Sequence, residues 1–150
     1  GVALARQYRL PRRIDDFILE HHGTMITRYQ FNKAIEAAGG NASKVDKENF
    51  RYPGPRPRSR ETALLMLADG VEARARAARP QDEEALRKVV LSTIESAQKQ
   101  GQFDNTQLTL RDLGIITESF VNVLRGTHHP RVSYPKEESA VTNVLTAPRK

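Results

Sequence analysis

Apolar residues recur at helical spacing along most of the chain, and this pattern predicts an all-α fold. Residues 2–5 are apolar with no N-cap before them, so we expect the chain to open inside a helix. A second helix is predicted from Pro11 to about His22, where Gly23 can supply the C-terminal cap. A third is predicted over 26–38, ending at a pair of glycines. The apolar face of the second helix is formed by Ile14, Phe17 and Ile18.

Three further helices are predicted beyond a long loop over residues 40–59, which is interrupted by prolines. Ser59 is a good N-cap for a helix that is apolar on nearly every side and ends at Arg79 and Pro80. Acidic residues open the next helix, which ends at Gly101. Thr109 caps the last one. Residues 1–127 are therefore predicted to form the folded part, and 128–150 an extended or disordered tail.

The composition limits the classes of function. The chain has 150 residues, no cysteine and a formal net charge of +6. Without cysteine it has no disulfide, thiolate metal site or cysteine nucleophile. The positive charge favours anionic partners such as nucleotides or nucleic acid, although it also serves solubility alone. No apolar run is long enough to predict a membrane span.

Two neighbouring histidines, His21 and His22, fall at the predicted end of the second helix. Adjacent helical residues point about 100° apart, so two such imidazoles can share one metal only where the backbone turns. Gly23 provides that turn. A histidine in the last turn also favours the helix dipole without any metal. A second pair, His128 and His129, lies beside a proline near the tail and is a weaker candidate.

Asp69 lies within the apolar helix that follows Ser59. A carboxylate in such a helix is costly unless a cation, a guanidinium or several donors compensate it. The sequence therefore predicts either a metal ligand or an ion pair with an arginine such as Arg76. Glu72, one turn on, is interpreted as an ordinary surface charge, with contact to a metal-ligating imidazole as the alternative.

The proline-rich loop carries a cluster of cationic and aromatic residues. Guanidinium groups bind phosphate in a bidentate fashion, and a tyrosine can stack on a base. We interpret the cluster as a phosphate or nucleotide contact, against the alternative of a rigid solvated connector. The candidate substrate-binding residues are Arg51, Tyr52, Arg56 and Arg58.

Three segments in this order resemble the seven-transmembrane HD family of phosphohydrolases, which includes bacterial cyclic-di-AMP phosphodiesterases. The segments are LPRR with FILEHHGT (residues 10–13 and 17–24), FRYPGP (residues 50–55) and MLADGVEA (residues 66–73). The likeness runs from about residue 1 to residue 135. It implies a helical HD-domain fold and hydrolysis of a phosphodiester in a cyclic dinucleotide. It also implies a cytosolic domain whose membrane spans lie outside this chain.

The resemblance further implies a centre of two divalent metal ions, iron or manganese. His21 and His22 would ligate one metal and Asp69 the other. No further side chain is assigned a catalytic role. The remaining family ligands lie upstream of Gly1, so we expect an HD domain without its N-terminal helices that binds metal weakly and turns over poorly alone. Exposed core surface then predicts a homodimer or exchange of helices between chains.

Two other functions stay open at this point. One is a non-catalytic helical module that binds nucleotides or nucleic acid through its basic loop. The other is a helical interaction domain whose histidines are structural. The pattern of residues does not select the metal, the base preference of the substrate or any signal that the domain relays.

Overall fold

The structure, a computed structural model, describes residues 1–127. Within that range the chain forms α-helices joined by turns and by one long loop, as predicted. The loop over 40–59 contains two short 3₁₀ segments, Ala42–Lys44 and Lys47–Phe50. The helices are α1 Val2–Gln7, α2 Arg13–Glu20, α3 Arg28–Ala37, α4 Arg60–Ala78, α5 Glu83–Lys99 and α6 Leu110–Thr127.

Local hydrogen bonds start the three long helices where the sequence predicts. Ser59 caps α4 in a capping box, since its side chain accepts from the Thr62 N–H and the Thr62 hydroxyl accepts from the Ser59 N–H. The Asp82 carboxylate accepts from the Ala85 N–H at 2.7 Å at the start of α5. Before α6, the Thr109 hydroxyl accepts from a backbone N–H at 3.1 Å. Each cap satisfies a donor that the helix itself leaves free.

The core lies where α4, α5 and α6 pack together. α2 packs on α4, and α1 packs on α2. Burial of the apolar side chains at this junction provides the main stabilising term of the fold. The buried cluster comprises Met66, Leu67, Val71, Ala75, Leu86, Val90, Ile94, Ala97 and Val121.

Two helix boundaries differ from the prediction. α2 ends at Glu20 rather than at about His22, and residues 21–24 form a turn. α3 begins at Arg28 rather than at residue 26 because Ile26 is extended and forms an isolated antiparallel bridge with Arg51. The spacing of apolar residues cannot predict such a bridge, because the two residues that form it are distant in sequence.

Burial also differs from the sequence pattern. The predicted apolar face of α2 is only half-buried, and the buried residue of this helix is the charged Glu20. α4 is apolar on nearly every side but is not buried all round, because Leu64 and Leu65 are each 41% exposed. Large apolar side chains are therefore open to solvent on several elements of the described part. The large exposed side chains are Leu4, Tyr8, Leu10, Leu19, Tyr29, Leu64, Leu65, Leu91, Leu110, Ile115 and Val123.

The proline-rich loop runs directly against the end of α2. A Cβ at Gly54 would lie 2.2 Å from the Leu19 carbonyl oxygen, so only glycine allows this approach. Pro57 is fully buried beside it. The loop thus carries Tyr52 to the turn that holds the histidines. No helix in the described part is long and apolar enough to cross a membrane. Residues 128–150, with His128 and His129, lie outside the described residues.

Candidate functional site

His21 and His22 lie side by side in the turn after α2, with ring centroids 3.9 Å apart. The Nδ1 atom of His21 lies 2.9 Å from the Ile18 carbonyl oxygen and 3.1 Å from that of Phe17. Because a carbonyl only accepts hydrogen bonds, Nδ1 carries the proton and Nε2 presents its lone pair away from the helix. The helix end therefore fixes the His21 tautomer in the form that suits a metal ligand.

His22 faces the carboxylate of α4. Its Nδ1 lies 3.4 Å from Asp69 Oδ2, and its ring stacks on Tyr52 with a centroid distance of 4.2 Å. Burial and the neighbouring His21 together hold the pKa of His22 below its ordinary value, although Asp69 acts in the opposite direction. The neutral form, which is the ligand form of imidazole, is therefore favoured at neutral pH.

Asp69 is not buried, and the expectation of a carboxylate enclosed by apolar side chains is wrong. Its side chain is 50% exposed at the mouth of a cavity. Nor does it pair with Arg76, which instead lies 3.3 Å from Glu72 on the surface of the same helix. The surface interpretation of Glu72 is thereby confirmed. The carboxylate of Asp69 meets His22, so the structure brings together the two elements that the sequence singled out.

A buried glutamine holds the turn from behind. Gln102 is fully buried, and its Oε1 accepts from the Thr24 N–H at 2.9 Å while its Nε2 donates to the Thr24 hydroxyl at 3.0 Å. Gly23 has φ +53°, and a Cβ there would lie 2.2 Å from Gln102 Oε1. The turn therefore requires glycine for its backbone angle and for space. Sequence reasoning missed Gln102, which lies 78 residues from its partner.

Glu20 anchors the same turn from its other side. The carboxylate accepts hydrogen bonds from the Arg58 N–H at 2.9 Å, from Arg58 Nε at 2.8 Å and from the Thr62 hydroxyl at 2.7 Å. Burial raises the pKa of Glu20, but these hydrogen bonds outweigh it and hold the pKa below its ordinary value. The anchor joins α2, the loop and α4 immediately before His21. This residue too was missed, because nothing in its local sequence distinguishes it from a surface glutamate.

A cavity of about 360 Å³ opens beside the two histidines and Asp69. This volume is within the range of small-molecule sites, which are mostly apolar with a few polar groups. Its wall follows one face of α4, through Asp69, Ala73 and Ala77, with Tyr52 opposite. The cavity therefore places an imidazole–carboxylate pair at the edge of an apolar pocket.

The predicted substrate-binding residues divide into two groups. Tyr52 lines the cavity, whereas the three arginines of the loop do not. Arg51 lies 2.5 Å from a Glu48 carboxylate oxygen, and Arg56 lies 2.8 Å from Asp104. Arg58 is held by Glu20, as described above. The structure gives these arginines intramolecular partners, and their contact with a phosphate stays a prediction.

Two arginines that the sequence pattern did not single out do line the cavity. Arg28 is the first residue of α3, and Arg74 lies on α4 beyond Asp69. Burial and the charge of Arg28 hold the pKa of Arg74 below its ordinary value. Arg74 follows Gly70, which also lines the cavity, by four positions on one helix, and that same-face spacing is the signal that could have found it.

The side chains at the site are of the types that bind a metal, but too few of them lie together to form a full ligand set. Imidazole and carboxylate are common ligands of divalent iron, manganese and zinc. Within residues 1–127, however, no three histidine or acidic side chains come close enough together to hold a metal ion. His22 Nδ1 and Asp69 Oδ2 lie 3.4 Å apart, which makes two donor atoms on one side of the cavity. His21, His22 and Asp69 would therefore supply only part of a ligand set.

Comparison with known proteins finds close relatives. No family model matches the chain. The uncharacterised protein slr0104 of Synechocystis sp. is 38% identical over 149 residues, 99% of this chain and 18% of that protein. The cyclic-di-AMP phosphodiesterase PgpH of Bacillus subtilis is 33% identical over 141 residues, 94% of this chain and 19% of that protein. The chain thus spans about a fifth of the length of these relatives.

A solved structure has the same arrangement of helices. The HD domain of L. monocytogenes phosphodiesterase PgpH, in complex with cyclic-di-AMP, matches with a TM-score of 0.76 and 28% identity, covering 88% of this chain and 60% of that chain. The predicted all-α HD-domain fold is confirmed by this match, and so is the resemblance read from the three sequence segments. By sequence and by fold, the chain is therefore similar to the HD domains of the PgpH phosphodiesterases, of which it matches a part.

Proposed function

We propose that this chain is part of a metal-dependent phosphodiesterase domain that hydrolyses cyclic-di-AMP. The observation that carries the proposal is the pairing of His22 with Asp69, beside His21, at the mouth of an apolar cavity. Relatives named cyclic-di-AMP phosphodiesterase are 33% and 28% identical to this chain over 141 and 138 aligned residues. The similar HD domain of L. monocytogenes PgpH was solved in complex with that nucleotide.

His21 and His22 would hold one divalent metal and Asp69 a second, and the metals would be iron or manganese. Residues outside this chain would complete the two ligand sets. When bound, such a pair of metals lowers the pKa of a water molecule between them and neutralises phosphoryl oxygens. The present chain alone is then expected to bind metal weakly and to turn over poorly.

The chain's own residues prepare the site in three ways. Backbone carbonyls of α2 hold the proton of His21 on Nδ1, which leaves Nε2 as the donor atom. The ring of His22 stacks on Tyr52 and contacts His21 at a tilt, and these two contacts fix its ring plane. The apolar wall along α4 excludes water from one side of the cavity, which strengthens electrostatic interactions at its mouth.

Tyr52 is the candidate for contact with a base. Its ring lies against His22 on one side and lines the cavity, so a purine in the cavity could stack near it. Arg51, Arg56 and Arg58 would contact the substrate only by sharing their guanidinium groups between a phosphate and the carboxylates that they now bind. They form the outer part of the proposed substrate surface.

The test uses a longer protein that includes the upstream part of the HD domain. We expect it to hydrolyse cyclic-di-AMP, and Asp69→Asn to lower kcat by about 100-fold or more, since even an indirect metal contact is worth about 10–100-fold. Glu72→Gln is the matched control, because it lies one turn away on the same helix and pairs only with Arg76. This control should keep its activity within about twofold.

Two outcomes would contradict the proposal. If Asp69→Asn hydrolyses the nucleotide as fast as the parent, the site described here is not the catalytic one. If the longer protein binds cyclic-di-AMP but never cleaves it, with or without iron or manganese, the alternative of a non-catalytic nucleotide-binding module is correct.

The setting of the domain is a part of the same proposal. We place it on the cytosolic side of a membrane protein, with the membrane spans outside this chain. The exposed leucines of α4 and the exposed apolar residues of α1 and α6 would be covered by the rest of the domain or by a second copy. Light scattering on this chain should therefore show a dimer, and a monomer at high concentration would contradict that expectation.

A further inference from the structure

Four cationic side chains surround a second cavity of about 440 Å³ that adjoins the first. Arg28 and Arg74 line both cavities, so the two spaces share one wall. Lys47 and Lys99 complete the cationic set. One carboxylate, that of Glu95, lies among them, and its ion-pair partner is Lys99 at 3.9 Å. The second cavity therefore has an excess of positive charge.

The two arginines differ from those of the proline-rich loop. In the described part of the chain neither Arg28 nor Arg74 has a carboxylate within ion-pair distance. Arg28 donates to the Ser96 hydroxyl at 2.8 Å, and Arg74 donates to the Ser92 carbonyl oxygen at 3.2 Å. Both contacts are neutral, and each leaves most of the donors of a guanidinium group unused.

Like charges that face a shared, partly enclosed space repel one another. Arg74 is half-buried, and its pKa is lowered by burial and by the charge of Arg28. An anion that bridges the two guanidinium groups would remove this repulsion, and it would use donors that are free at present. The arrangement is therefore one that an anion stabilises.

The position relative to Asp69 indicates which anion. Arg74 follows Asp69 by five residues on α4, about 7.5 Å along the helix axis at 1.5 Å per residue. A cyclic dinucleotide carries two phosphodiester groups, and only one is cleaved at a time. A second phosphate thus has to be held away from the reacting one but within the same ligand.

We propose that Arg28 and Arg74, with Lys47 and Lys99 at the rim, form an anion subsite for the phosphate group that is not being hydrolysed. This inference rests on the proposed function for its ligand, because the shared chemistry is that of any phosphate group. Before cleavage the occupant is the second phosphodiester of the cyclic dinucleotide. After cleavage it is a phosphate of the linear product.

The test is calorimetric titration of this chain with inorganic phosphate and with cyclic-di-AMP. We expect Arg28→Gln and Arg74→Gln each to weaken both affinities by about tenfold or more, the value of one charged hydrogen bond. Arg76→Gln is the matched control on α4, since that side chain pairs with Glu72 and lies outside both cavities. Its affinities should stay within about twofold of the parent.

Arg28 is exposed, so Arg28→Gln keeps the test valid if the half-buried Arg74 is needed for folding. In the longer, active protein, Arg28→Gln should raise KM with little change in kcat, because the contact is the same before and during cleavage. A purely structural role would change thermal stability without this separation.

The outcomes separate the two proposals. If both variants bind inorganic phosphate and cyclic-di-AMP as the parent does, the subsite is refuted even where the longer protein hydrolyses the nucleotide. If the variants lose phosphate affinity while the longer protein cleaves nothing, the subsite stands and the proposed function fails. Weak binding of phosphate that Arg76→Gln impairs equally would show attraction by net charge alone, and this too would refute the subsite.

Discussion

Removal of the Glu20 carboxylate should destabilise the protein more than removal of any surface carboxylate. This side chain is only 2% exposed and accepts three hydrogen bonds, two from Arg58 and one from Thr62. It is the point at which α2, the proline-rich loop and α4 are joined. The Glu20→Ala variant leaves the part-buried Arg58 N–H without its acceptor.

The magnitude follows from those contacts. Each hydrogen bond to a charged acceptor is worth about 1.5–3 kcal/mol, so three of them set the upper limit. Three effects reduce it. The cost of burying the charge disappears, the Arg58 side chain is 59% exposed and therefore screened, and the Thr62 hydroxyl keeps the Ser59 carbonyl at 3.2 Å. A net loss of about 3 kcal/mol in the free energy of unfolding remains.

The assay is urea denaturation followed by far-UV circular dichroism, with the midpoint and the slope m fitted together. Glu20→Gln keeps the size of the side chain and one acceptor oxygen, so we expect a loss of about 1–2 kcal/mol. Glu84→Gln is the matched control, since Glu84 is 78% exposed and its partner, Lys88, is one helical turn away. Its effect should stay below about 1 kcal/mol.

A second readout links this anchor to the site. Since Glu20 directly precedes His21 and His22, the histidine ring signals in NMR spectra should shift in Glu20→Ala and stay unchanged in Glu84→Gln. The reasoning is refuted if Glu20→Ala unfolds within about 1 kcal/mol of the parent at the same m value. Such a result would mean that the three hydrogen bonds only replace those that the unfolded chain makes with water.

Three more predictions concern the turn, acid stability and metal content. Gly23→Ala should lower the free energy of unfolding by about 2 kcal/mol and displace the histidines, because alanine is strained at this positive φ and its Cβ would clash with Gln102. Gly39→Ala has the positive φ without such a contact and should cost about 1 kcal/mol. Equal losses in denaturation would contradict this reasoning. Thr109 lowers the pKa of Asp112 from 3.8 to about 2, so the stability that this carboxylate adds is present above 3.8 and is lost as the pH falls toward 2. Asp112→Asn should remove that part of the decline, and identical acid titrations would refute it. After dialysis this chain should retain less than one metal pair per molecule, and a stoichiometric pair by elemental analysis would contradict a partial ligand set.

Local chemistry determined the helices, because their signals act over a few residues. The caps at Ser59, Asp82 and Thr109 depend on a side chain and a backbone N–H three positions away, so the sequence alone is enough to place them. The apolar periodicity likewise predicts the buried face of α5, through Leu86, Val90 and Ile94. Resemblance on three short segments was sufficient for the HD-domain fold, which the comparisons confirm.

Only the tertiary structure decided the contents of the site. Asp69 meets His22 across 47 positions of the sequence, and Gln102 reaches Thr24 across 78. Spacing in the sequence does not predict such pairs, because they depend on how whole helices pack against one another. The same holds for exposure, since a helix rich in leucine looked buried all round and is open on the side where no other element covers it.

The arginines show the physical reason most clearly. A guanidinium group in the sequence is the same whether it will bind a carboxylate of the protein or an anion from solution. Packing brought Asp104 to Arg56 and Glu20 to Arg58. Within residues 1–127 it brought no carboxylate within ion-pair distance of Arg28 or Arg74. The sequence thus determines the sign of each charged side chain, whereas the fold determines which group that side chain contacts.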